Sequence, residues 1–188
     1  MSEPKMTAPP VTDAVRAEAM TKPGSWVYAI DRFFDPAGRV PPFGIIGAWK
    51  VDDLGHITGE FKHNPSYRPS PLTLGMNEPT DAVDAAIQRA AAGYSDDGAI
   101  RSALLDSILF FVPDGVPDAA AHADDTHHRA VMAYTNERQA PRSVPLLRPV
   151  AFRDLLARLP DHAILKLNPG SSASVHIPVS ELRRAADG

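Results

Sequence analysis

His122, Asp124, Asp125, His127 and His128 form the one dense set of metal-capable side chains in this 188-residue chain. Imidazole with carboxylate suits zinc or nickel. Their spacing is not that of a helix-borne ligand motif, and nothing around them supplies a rigid outer shell, so the plain reading is a solvated loop. A second grouping is nucleophilic: Ser171, Ser172 and Ser174 lie close in sequence to His162 and His176, with Asp161 available as a third member. A serine nucleophile needs an adjacent base and a group to orient that base. No Gly-x-Ser-x-Gly elbow occurs, and serines following Asn168, Pro169 and Gly170 ordinarily serve the turn itself. The turn also lacks the glycine pattern of a phosphate-binding loop.

A third stretch points to binding. Residues 64–71 read Asn, Pro, Ser, Tyr, Arg, Pro, Ser, Pro, and a loop stiffened in this way loses little entropy when it meets a partner. Asn64, Tyr67 and Arg68, with Asn168 and Gly170 in the later turn, are the candidate protein-interaction residues. The competing reading makes residues 64–71 a structural clamp over the preceding hairpin. Trp49 and Phe61 read as core rather than as a ligand cage.

These side chains need elements to hold them. The least ambiguous succession runs from 152 to 182, where Phe152, Leu155, Leu156 and Leu159 share a helical face that Pro160 and Asp161 end. Ala163, Leu165 and Leu167, then Ala173, Val175 and Ile177, alternate with other residues and predict a strand pair linked by 168–172. Ser180 reads as the cap of a last helix with Glu181 in its first turn. Towards the start, residues 26–30 predict a strand, and Ile45 to Val51 with Ile57 to Phe61 predict the clearest hairpin in the chain. That hairpin has an apolar face, so it is expected to pack on the sheet of the C-terminal half. Thr80 reads as a helix N-cap, with Val83, Ile87, Ala90 and Ala91 on one face. Ile100, Ala103, Leu104, Ser107 and Ile108 predict the inward side of the next helix, followed by a buried strand over 109–112 and another over 130–134. Segment 137–150 holds three prolines and reads as a connection. Residues 1–23 read as a disordered tail with a weak helical pattern over 11–20.

Composition bounds the class. An apolar content of 44% supports a core, while a net charge of −4 without a clustered basic excess argues against a nucleic-acid or anionic-membrane surface. The absence of cysteine removes disulfides and thiolate ligands and fits a reducing compartment. No signal-peptide pattern or spanning apolar run is seen.

From about residue 79 the order of marks resembles the N-terminal domain of the SseB, or enhanced serine sensitivity, family. The marks are Pro79, Thr80 and Asp81; the passage from Leu104 to Pro113; Tyr134, Thr135 and Asn136; and Leu167, Asn168, Pro169, Gly170 and Ser171. With residues 26–31, 41–52 and 64–71 added, the chain over 26–182 resembles actinobacterial proteins called type VII secretion system-associated. The resemblance implies a cytoplasmic accessory protein near a secretion machine, chaperone-like or an immunity partner, with another protein as its partner and no catalytic or metal-binding residues to carry over. The helical-hairpin substrates of such systems carry a Trp-x-Gly turn and a Tyr-x-x-x-Asp/Glu tail signal, and neither occurs here.

The expectation is therefore an α+β fold with a mainly antiparallel sheet, helices on one side, and an N-terminal strand and β-hairpin extending that sheet. Residues 24–78 form the strand, hairpin and proline-rich loop, and 79–188 the SseB-like part, with 24–188 one compact domain. The function expected is non-catalytic protein binding, without a cofactor, metal site or membrane span. The alternative is a small hydrolase or metal-dependent enzyme using the 122–128 loop or the Ser171 turn.

Overall fold

In the computed structural model, which describes residues 7–112, 130–144 and 146–186, the chain divides into two units, Met1–Gly75 and Met76–Gly188. It is α+β, with one antiparallel three-stranded sheet and one mixed five-stranded sheet.

The first unit opens with helix α1 (Asp13–Met20), whose N-cap Thr12 accepts a hydrogen bond from Val15 N at 3.3 Å. Ala19 is fully buried against Val27 and Val51, with Val15 and Ile57 alongside. The disordered-tail reading is thus corrected for this stretch: mean hydropathy along the segment is low, but one small residue in the right phase is enough to dock the helix. Strands β1 (Trp26–Ile30), β2 (Ile45–Val51) and β3 (Ile57–His63) pair antiparallel in that order. Val27, Trp49 and Phe61 fall opposite one another, and the Trp49 and Phe61 rings lie 4.6 Å apart. Gly47 makes this possible, since a Cβ there would meet the Phe61 ring at 2.5 Å. The β2–β3 turn is wound around Asp52, whose Oδ1 accepts from Leu54 N at 2.9 Å and His56 N at 2.8 Å, while Gly55 supplies a φ of 85°. These strands bond to one another and form a sheet of their own, which corrects the expectation that they extend the C-terminal sheet. The reason is local: part of the apolar face that seemed to need a distant sheet is closed by α1.

The second unit runs through helices α2 (Ala82–Ala91) and α3 (Asp97–Leu105), strands β4 (Ile108–Phe111), β5 (Ala130–Tyr134) and β6 (Arg148–Ala151), helix α4 (Phe152–Arg158), strands β7 (Ile164–Leu167) and β8 (Val175–Pro178), and helix α5 (Val179–Ala186). The sheet order is β6-β4-β5-β7-β8, antiparallel throughout except for β5 with β7. Leu109, Ala133, Leu165, Leu167 and Ile177 project from one face into a single cluster with Val83, Ile87, Leu104, Phe152, Leu156 and Leu182. Among the described residues the four helices of this unit therefore lie on one side of its sheet, and each large side chain so buried contributes about 1.5–3 kcal/mol. On the other face Tyr134 and Phe110 are covered by Ala140, Val144 and Leu147.

Four local readings change. The N-cap of α2 is Asp81, which accepts from Val83 N and Asp84 N at 2.9 Å, while Thr80 donates to Asp81. Ile108 belongs to β4 and is 58% exposed, because the chain turns at Asp106 and strand alternation, not helical phase, sets its direction. Residues 148–151 form β6 despite Pro149, which is permitted because β6 is an edge strand. The last helix begins at Val179, one residue ahead of Ser180, directly from β8.

Candidate functional site: a clamp held by Asp31 and the groove beside it

Where β1 ends, Asp31 is 1% exposed, and its carboxylate organises the proline-rich segment. Five donors converge on it. Oδ1 accepts from Phe33 N at 3.0 Å and Ser70 Oγ at 2.7 Å; Oδ2 accepts from Tyr67 Oη at 2.7 Å, Thr73 Oγ1 at 3.0 Å and Ser70 N at 3.1 Å. Burial by itself raises the pKa of a carboxyl group; here the bonds from Phe33, Ser70 and Tyr67 outweigh it and hold Asp31 below its ordinary value. The group is ionised and fully satisfied, so it is a structural anchor and not a proton acceptor in waiting. Ser70, itself fully buried, donates to Asp31 and accepts from Thr73 N at 3.1 Å, which rules it out as an exposed nucleophile.

The other end of the clamp is Asn64. Its side-chain Nδ2 donates to Pro42 O at 2.8 Å and Ile45 O at 2.7 Å, and its Oδ1 accepts from Ser66 N at 3.0 Å. Arg68 N donates to Phe43 O at 3.0 Å. Residues 64–73 are thus strapped to the first unit at both ends and in the middle, and prolines at 65, 69 and 71 stiffen the backbone between turns at 65–66 and 71–75. Asn64 and Tyr67 do structural work, while Pro65, Ser66 and Arg68 lie on the exposed side of the loop.

Beside the strap runs an open groove of about 320 Å³. Tyr28, Pro42, Ala48, Lys62, His63 and Pro65 contribute to its walls. Tyr28 is 56% exposed on the face of β1 opposite Val27, so its ring is presented to solvent by strand alternation. Such a surface can hold an extended apolar segment against an aromatic ring and two prolines.

Comparison with known proteins adds nothing to this geometry. No protein-family model, curated protein or solved structure matches the chain.

The remaining candidates fare differently. Asn168 is fully buried with φ 49°, and its side chain grips Thr135 through Thr135 N to Oδ1 at 2.9 Å and Nδ2 to Thr135 Oγ1 at 3.1 Å. It fixes the β7–β8 turn to the end of β5, and Gly170, with φ 86°, completes that turn at the surface. Ser171 Oγ accepts from Ala173 N at 3.2 Å and Ser174 Oγ donates to Leu167 O at 3.2 Å. Asp161 pairs with Arg183 at 3.1 Å. Residues His122, Asp124, Asp125, His127 and His128 lie outside the described residues. Among the described residues no group of three or more histidine, aspartate or glutamate side chains could hold a metal, and no helix is long and apolar enough to cross a membrane.

Sequence reasoning placed Asp31 at a strand end and Ser70 in the proline-rich loop without linking either to the other or to Thr73. The available signal was a carboxylate at the end of an apolar strand, which reads equally well as a simple strand stop.

Proposed function

We propose that this protein is a non-catalytic binding protein whose first unit presents a rigid groove to an extended segment of a partner protein. The observation that carries the reading is the Asp31 network: five hydrogen bonds to one buried carboxylate hold the proline-rich strap in place beside the exposed Tyr28 ring. Preorganisation of this kind lowers the entropic cost of binding. The resemblance of residues 26–182 to type VII secretion system-associated proteins supplies the kind of partner. It is a secreted effector or a component of the apparatus, met in the cytoplasm by a chaperone-like or immunity-type accessory. Affinity co-purification from the native host tests this. Wild-type protein is expected to recover a product of a secretion locus, and Tyr28→Asp to lose it while folding normally. Recovery of no such product, or recovery indifferent to Tyr28→Asp, contradicts the reading.

A further inference from the structure

The second unit contains a cavity of about 280 Å³ between α4 and the end of the five-stranded sheet. Phe111, Val131 and Val150 form its sheet side, and Leu155 and Leu159 its helix side. An enclosed cavity of about 150 Å³ walled by Leu, Ile and Phe accepts benzene, so by volume this one has room for roughly twice that hydrocarbon. Among the described residues that line it, Arg158 is the charged one. In the last turn of a helix, an arginine ordinarily serves the terminal carbonyls. Here that role is taken by Arg183, which donates to Leu156 O at 3.1 Å and Leu159 O at 2.6 Å. Asp161, the nearest acidic residue in sequence beyond the helix, is paired with Arg183, and Asp106 with Arg153. Among the described residues Arg158 has neither an ion pair nor a hydrogen-bond acceptor for its side chain. An exposed cation at the rim of an apolar cavity fits a ligand with a hydrocarbon body and one carboxylate.

We propose that this cavity binds a monocarboxylate with a hydrocarbon body of about eight to ten carbons, its chain among Phe111, Val131, Val150 and Leu155 and its carboxylate on Arg158. The site is independent of the groove in the first unit, so either assignment can fail alone. Octanoate and 1-octanol are the probes, titrated below the micellar range into the full chain and read by calorimetry and methyl-labelled NMR. Octanoate is expected to bind one to one and to shift the methyl signals of Val131, Val150, Leu155 and Leu159. Arg158→Gln, which removes the charge and leaves the apolar walls intact, is expected to weaken octanoate by about ten-fold, the worth of one charge-assisted hydrogen bond, and to leave 1-octanol unchanged. Val150→Phe, which fills the space, is expected to weaken both. Octanoate that moves none of these methyl signals, or binds Arg158→Gln as well as wild type, overturns the proposal.

Discussion

Asp31 shows how one ionised side chain can substitute for regular structure in a loop. Its removal leaves the backbone N–H and the hydroxyl of the buried Ser70 without their acceptor, and each buried donor left unpaired costs about 1–3 kcal/mol. Asp31→Ala is therefore expected to destabilise the first unit by at least about 2 kcal/mol in urea unfolding, beyond the effect of an ordinary surface substitution. The pH dependence follows from the same bonds. The folded-state pKa of Asp31 lies below its ordinary 3.8, so its contribution is fully present above that value and is lost as pH falls from roughly 5 through the folded pKa. The stability gap between wild type and Asp31→Asn is expected to be widest near neutrality and to narrow below pH 4 or so, measured by unfolding across a pH series. Gly47 is a sharper steric case. A Cβ there would collide with Lys62 O as well as with the Phe61 ring, and backbone does not step aside, so Gly47→Ala is expected to cost about 1–3 kcal/mol in the same assay.

At the scale of elements, periodicity was a good guide wherever one face is buried and the other is wet. The hairpin of β2 and β3 and the pairing of β7 with β8 follow the alternation of Trp49, Val51 and Phe61 and of Leu165, Leu167 and Ile177. It misled where a second influence competes. Ile108 continues the helical phase of α3 but belongs to a strand, and Pro149 hides an edge strand whose ladder needs no N–H from it on that side. In α1 the burial rests on Ala19, which carries too little apolar surface to register as a pattern. Ala19→Arg is expected to release that helix, seen as loss of hydrogen-exchange protection over 13–20 with β1 to β3 retained. The proline-rich strap was only half legible. Its stiffness could be read from prolines, but its anchor is 36 or more residues away in sequence, and no local rule links Asp31 to Tyr67, Ser70 and Thr73.

For the molecule as a whole, the α+β class was legible and the assignment of strands to sheets was not. Hydrophobic patterning says that a face must be covered without saying by what, and here a short helix covers part of what a distant sheet was expected to. The outcome is two units, each with its own sheet and core, one carrying a strapped groove and the other an apolar cavity with a cation at its rim. The central claim is that the groove beside Tyr28 is where the partner sits. Site-specific photo-crosslinking in the native host tests it most directly, with the reactive group placed at position 28 in one strain and, as a control, at position 54, where Leu54 is 78% exposed in the β2–β3 turn. A single crosslinked protein from position 28, encoded beside a secretion locus and missing from position 54, is the predicted result. Equal or heterogeneous crosslinking from both positions would contradict it.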